Sequence, residues 1–160
     1  MATTVLSLTL CASPSQASDY SNFSQEVMCL AQNIYFESRG EPVKGQIAVA
    51  LVTINRTNHP DFPNTICGVV QQAVVNSKGQ PIKGKCQFSW YCDGKSDEMP
   101  SGDAQVKQSV ALAAMLLSTP IKVDITKGAL FFHASYVKPS WRKTSKKTIA
   151  IGNHIFYRRS

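Results

Sequence analysis

Two carboxylates stand four residues apart, Glu37 and Glu41, in the stretch NIYFESRGEPVKGQIAVALVTINR that runs from Asn33 to Arg56. Glu37 follows the apolar run Ile34, Tyr35 and Phe36. An acid carried by such a run to the edge of an apolar cleft loses hydration in its charged form and holds its proton closer to neutral pH. A neutral acid at that pH is what general-acid cleavage of a glycosidic bond requires. Gly40 lies between the two glutamates, so they are not expected to share a helix face despite their spacing. Glu37 keeps the face of Ile34, three residues earlier, and can border a core. At the carboxyl end of a helix it also meets the negative end of the dipole, which again favours the neutral acid. Glu41, beside Pro42, is expected to cap the following helix with its carboxylate. The plain alternative for Glu37 is a solvated side chain at a helix end.

Other chemistries find less support. Hydrolysis of a glycosidic bond commonly uses two carboxylates. Asp93 and Asp97 sit near the QFSW stretch (Gln87 to Trp90) and could reach the same cleft, but nothing in the sequence singles them out. His59, His133 and His154 could serve a zinc amidase, yet there is no HExxH and no CxxC, so no metal site is expected. No GxSxG occurs, and Cys67 has no nearby His in sequence.

The elements that must position these groups read as helices first and strands last. Residues 22 to 37 have helical spacing, with Val27, Leu30, Ala31 and Ile34 on one face and Asn22 or Ser24 as the cap. A second helix is expected from Pro42 to Thr57, with Ile47, Ala50, Leu51 and Ile54 inward. A short third helix surrounds Ile66, Val69 and Val70. Residues 76 to 85 read as a surface loop, 86 to 91 as an apolar, aromatic segment, and 93 to 102 as a second loop. A fourth helix spans Asp103 to Ser118. Gly128 to Ala134 is a strand, and Thr148 to Arg158 a hairpin turning at Gly152-Asn153. This order predicts an α+β domain over residues 20–160.

A chain of 160 residues with 43% hydrophobic and 17% charged residues is globular rather than disordered. Its formal charge of +7 favours polyanionic partners without choosing among them. Lys138, Arg142, Lys143, Lys146, Lys147, Arg158 and Arg159 crowd the carboxyl end, where no acid intervenes. That region could bind anionic polymers without any chemistry. No nucleic-acid motif accompanies it, so nucleic acid is not expected. Residues 1–18 read as an export signal lacking a basic start, or as a disordered arm. If they are removed, four of the five cysteines remain, which suits an oxidising compartment. Cys86 and Cys92 could close a local loop, but sequence does not order the pairs.

The segments YFESRGE, GQIAVALVTINR, FPNTICGVV, CQFSW, HASYVKPSW and IGNHIFY occur in this order. Together they resemble the SleB/CwlJ-type, spore cortex-lytic cell-wall hydrolase family over about Ser24 to Arg158. The resemblance implies a compact lysozyme-like or lytic-transglycosylase-like domain, with a small C-terminal antiparallel sheet, that cuts peptidoglycan glycan strands. It places the catalytic acid at the first Glu of E-x-R-G-E, here Glu37, with no cofactor. Ser38 stands where the family usually has Ala, a change expected to be harmless. No peptidoglycan-binding repeat precedes the motifs, so the spore role is not carried over; a phage endolysin or an exported bacterial envelope hydrolase is expected instead, as a monomer. Sugar contacts are expected from Gln87, Phe88, Ser89 and Trp90, with Tyr35, Tyr136 and Trp141 lining the same cleft. Core packing is the competing role for Phe88 and Trp90. Arg56 is expected to orient a carboxylate, contact a muramyl lactyl group, or form a structural salt bridge.

Overall fold

The apolar stripe of Val27, Leu30, Ala31 and Ile34 lies along helix α1 (Pro14–Ser38), and all four side chains are buried. The computed structural model describes residues 14–160. Of the expected export segment, residues 1–13 and Cys11 lie outside the described part, and 14–18 already belong to α1. Asn22 and Ser24 are therefore inside the helix rather than at its cap. No Gly or Pro follows Pro14 within α1, so nothing stops the backbone from starting earlier than the apolar stripe does.

The turn at Gly40 closes α1, with Glu41 N donating to Ser38 O at 2.9 Å. Helix α2 (Val43–Thr57) follows, with Pro42 at its N-cap. Helix α3 (Ile66–Val70) is held to α1 in two ways. The Glu26 carboxylate accepts from Ile66 N at 2.5 Å, and a disulfide joins Cys29 to Cys67. Helix α4 (Ala104–Ser118) packs along α1, capped by Asp103, whose carboxylate accepts from Gln105 N at 2.7 Å. A buried amide knits this half together. Asn33 Nδ2 donates to Thr53 Oγ1 at 2.9 Å, and Asn33 Oδ1 accepts from Trp90 Nε1 at 3.2 Å. Each buried polar atom in that chain thus finds a partner, as the low-dielectric interior demands.

The stretch read as a loop at residues 76–85 is instead part of a hairpin, β1 (Ala73–Val75) with β2 (Pro81–Cys86). Its strands are mostly exposed, so no alternation of apolar residues announces them. The Cys86–Cys92 disulfide does close locally, and the apolar, aromatic segment inside it turns as a 3-10 helix over Ser89–Cys92. Trp90 and Phe88 thereby enter the helical core.

The expected strand and hairpin form a three-stranded antiparallel sheet from β3 (Phe131–Ala134), β4 (Ser145–Ile151) and β5 (His154–Arg159), in the order β3-β5-β4. Ile151, Phe156 and Ala129 pack on Ala48, Val49 and Val52 of α2 as a second, smaller core. Helix α2 is thus the wall shared by the helical half and the sheet.

Glu41 does not cap α2 with its side chain. Its Oε2 accepts from Asn153 N at 2.8 Å, across 112 residues, and so clamps the β4–β5 turn to the end of α1. Gly152 in that turn has φ +56°, and a Cβ there would run into the Glu41 carboxylate. Gly152→Ala is expected to cost about 2 kcal/mol from the left-handed backbone and the lost clamp. Thermal unfolding checks this, with a melting temperature lower by about 4–8 °C as the expected result.

Candidate active site

Glu37 stands in the last turn of α1, half-buried, with Ile34 behind it in the core. Two depressions meet at its side chain. One, about 500 Å³, is bordered by Glu37, Ser89, Trp90, Asp93, Asp97 and the sheet residues Phe132 and His133, with Tyr136 at its mouth. The other, about 270 Å³, is bordered by Glu37, Arg56, Gln87, Phe88, Ser89, Phe132 and Trp141. The helical half supplies the acid, the disulfide-bound turn supplies one wall, and the sheet supplies the other.

Among the described residues no hydrogen bond reaches the Glu37 carboxylate. Burial dominates its electrostatics and pushes it from 4.5 up to about 7, while the positive charge of Arg56 pulls in the opposite direction. The net result is an acid that is substantially protonated at neutral pH.

Arg56 itself is buried, and among the described residues it makes no ion pair, so the structural salt bridge weighed for it is not formed. Its Nε donates to Leu130 O at 2.8 Å, and its guanidinium lies over the rings of Phe62 and Phe88, at 5.1 Å from each centroid. With its carboxamide turned so that the oxygen faces Arg56, Gln87 accepts from Nη1 and Nη2 at 3.2 and 3.1 Å. Burial pulls Arg56 down to about 10, which leaves it cationic at neutral pH. Arg56 thus acts as a fixed positive charge beneath the groove, and Gln87 and the Phe rings hold it there.

Of the other expected contact residues, the structure brings Gln87, Ser89, Trp90, Tyr136 and Trp141 to the groove and leaves Tyr35 out of it. Tyr35 is 4% exposed, and its hydroxyl donates to Asp103 Oδ2 at 3.1 Å, so its aromatic face is spent on the core. Phe88, at 3% exposure, and Trp90, at 8%, are buried walls rather than open platforms. Trp90 stacks on Phe36, with centroids 4.8 Å apart. Tyr136, 83% exposed, stands free at the rim. Trp141 borders the groove from the 3-10 turn Ser140–Thr144, braced edge-on by Tyr157 at 5.5 Å and His133 at 5.6 Å. Ser38 is buried, and its hydroxyl donates to Ile34 O at 2.8 Å. That bond satisfies the extra polar atom inside α1 and explains why Ser can stand beside the acid.

Sequence reasoning gave no role in the groove to Phe132, and weighed His133 and His154 as metal ligands against hydrogen-bonded wall residues, which is the role His133 takes. His133 Nδ1 lies 2.9 Å from Ala134 O and must carry the proton, since the carbonyl can only accept. Nε2 then accepts from the Tyr157 hydroxyl at 3.0 Å. Both ring nitrogens are thus engaged in fixing the wall. His154 also borders the first depression, and burial first, then His133, lower its proton affinity against the pull of Glu41. His59 lies apart, against Phe62 and Asp61. Among the described residues no three His, Cys, Asp or Glu side chains are grouped to hold a metal. Cys67 is spent in a disulfide and offers no thiol.

An open groove with one sequestered acid at its waist suits an extended polymer better than a small metabolite. The chain belongs to the cell wall hydrolase family, whose profile matches residues 40–157. It is similar to the spore cortex-lytic enzyme of Halalkalibacterium halodurans, 30% identical over 132 residues, which are 82% of this chain and 34% of that protein. The spore cortex-lytic enzyme of Bacillus cereus gives the same identity and span, covering 43% of that protein. The chain therefore spans less than half the length of these curated relatives. The solved catalytic domain of the Bacillus cereus SleB protein is 31% identical with a TM-score of 0.56, over 84% of this chain and 91% of that one. The catalytic domain of the germination-specific lytic transglycosylase SleB from Bacillus anthracis is 29% identical with a TM-score of 0.59, over 83% and 93%. The α+β fold expected from the motifs is thus shared with SleB catalytic domains. The family profile starts three residues after Glu37, but a 132-residue span of a 160-residue chain necessarily includes that position.

Proposed function

We propose that this chain degrades peptidoglycan as a lytic transglycosylase, cleaving the MurNAc–GlcNAc β-1,4 bond with Glu37 as its single acid and base. The observation that carries the reading is Glu37 at the waist of the groove, without a hydrogen-bond partner among the described residues and pushed up to about 7 by burial. In the first step the Glu37 carboxyl protonates the bridging oxygen as the bond to the anomeric carbon breaks. The carboxylate so formed then takes the proton of the C6 hydroxyl of the same muramyl ring. That oxygen closes on the anomeric carbon and gives a 1,6-anhydro end, with no water consumed. Arg56, close enough to be felt but not bonded, stabilises the carboxylate between the two steps.

Hydrolysis is the second reading, because Asp93 and Asp97 border the same depression and could activate water. Mass spectrometry of digested peptidoglycan separates the outcomes. Anhydro-muramyl ends are expected. Reducing muramyl ends would replace this mechanism with the two-carboxylate one, and intact glycan with freed peptides would point to an amidase.

Both disulfides suit work in an oxidising space outside the cytoplasm, in the cell envelope or at phage-driven lysis. No described helix is long and apolar enough to cross a membrane. The net charge of +7 is expected to draw the chain to anionic envelope material, acting as a monomer. Sedimentation with purified cell walls should therefore weaken as salt rises from about 0.05 to 0.5 M, where screening shortens to a few ångströms. Salt-independent binding would remove charge from the account.

A further inference from the structure

The groove does not end at Trp141. A third depression, about 580 Å³, is bordered by Gln87, Phe131, Trp141, Thr144, Ser145, Arg159 and Ser160. Gln87, Phe131 and Trp141 also border the depression that holds Glu37, so a polymer lying over the acid continues into this space. We propose that this end is a subsite for the carboxylate-bearing arms of the glycan strand, with Trp141 as the sugar platform and Arg159 as the anion contact. The proposal rests on the glycan-strand reading above.

Three observations support it. First, the end beyond Glu37 mixes acids with bases, Asp93 and Asp97 with Arg39 and Lys95, whereas Arg159 is the one charged side chain that borders this end among the described residues. Second, register places Arg159 on the working side of the sheet. It lies opposite Ser145 on β4 and two residues beyond Tyr157, so its side chain leaves from the same side as the ring that braces Trp141. Third, Arg159 is steadied without being used up. Its Nη2 pairs with Asp61 at 2.6 Å, both side chains about half exposed, and the rest of its fork has no protein partner among the described residues. A guanidinium with vacant N–H groups beside an aromatic face suits a carboxylate next to a sugar ring. The sugar rings of a peptidoglycan strand are uncharged, and its carboxylates sit on the arms of alternate rings, on the peptide or, where the peptide is absent, on the lactyl group. An uncharged platform next to a cation matches that alternation.

Calorimetry with the full chain carrying Glu37→Gln, which binds strands without needing to cut them, tests the subsite. Three probes are compared: peptide-bearing strands, strands freed of peptide that keep lactyl carboxylates, and strands whose carboxylates are converted to amides. Charged strands are expected to bind about tenfold more tightly than amidated ones. Adding Arg159→Gln should abolish that difference, Arg159→Lys should keep part of it, and Asp61→Asn should keep it. Preference for the peptide-free charged strands alone assigns the lactyl carboxylate, preference for peptide-bearing strands alone assigns the peptide, and preference for both assigns a site that takes either carboxylate; each supports the subsite. Equal affinity for charged and amidated strands, or a preference that survives Arg159→Gln, would overturn it. Binding with this preference but no glycan cleavage by the native chain would keep the subsite and remove the transglycosylase. Cleavage without the preference would do the reverse.

Discussion

Glu37→Gln is expected to lower glycan cleavage by about 10²–10⁴-fold, the usual worth of a positioned general acid and base. The amide keeps the shape of the side chain but has no transferable proton. The native enzyme should lose activity as pH rises through about 7, where Glu37 gives up its proton. The same substitution has an opposite effect on stability. Glu37 has a higher proton affinity in the folded chain than its ordinary value of 4.5. Its contribution is therefore fully present below about pH 4.5 and is lost as pH rises through about 7. That shift corresponds to about 3 kcal/mol. Urea unfolding should find the Gln variant more stable than the native chain at pH 8, by up to about 3 kcal/mol, and little different at pH 4. A Gln variant that kept full lytic activity would end the mechanism. One that unfolded alike at both pH values, relative to native, would show that Glu37 is solvated after all.

The second large effect belongs to the Cys29–Cys67 bridge. The cysteines are 38 residues apart, and removing that closure from the unfolded chain is expected to cost about 4 kcal/mol. The pair Cys29→Ala and Cys67→Ala should melt about 8–15 °C lower than native. The Cys86–Cys92 closure spans only 6 residues, and its loss should cost about 2 kcal/mol. Its effect on cleavage should be the greater one, since Gln87, Ser89 and Trp90 all lie within that small ring. Calorimetric scans of the two variants, with activity measured below both transitions, separate the contributions. A bridge at 29–67 whose loss left the melting temperature unchanged would show that α3 is held by Glu26 and packing alone.

Much of this arrangement was legible in the residues. The 3.6-residue stripes marked the four helices, although α2 also buries Ala48, Val49 and Val52 against the sheet, and Gly152-Asn153 marked the final hairpin. That Glu37 borders the core was legible because it shares a face of α1 with Ile34, while its choice as the acid came from the resemblance carried by the E-x-R-G-E motif. What could not be read is what depends on contacts between distant segments. Glu41 looks like a helix cap from its neighbours, and only the folded chain brings Asn153 N to it. Tyr35 looks like a sugar contact beside the acid, but its own helix turns it towards Asp103. Arg56 looks open to a structural salt bridge, and its hydrogen bonds go instead to a carbonyl and an amide, between aromatic faces. The β1–β2 hairpin went unseen because it buries too little to leave a pattern.

The acid arises from α1, while Trp141 and the terminal strands that face it arise from the last third of the chain, and α2 is the spine between them. On the proposed reading, proton transfer rests on one block and part of the grip on the polymer on the other, joined by a common backbone. Changes at Tyr136, Trp141 or Arg159 would retune which wall material is gripped without touching the reacting carboxyl. Slackening the small apolar contact of Phe156 with α2 would instead widen the jaws and blunt every substrate alike.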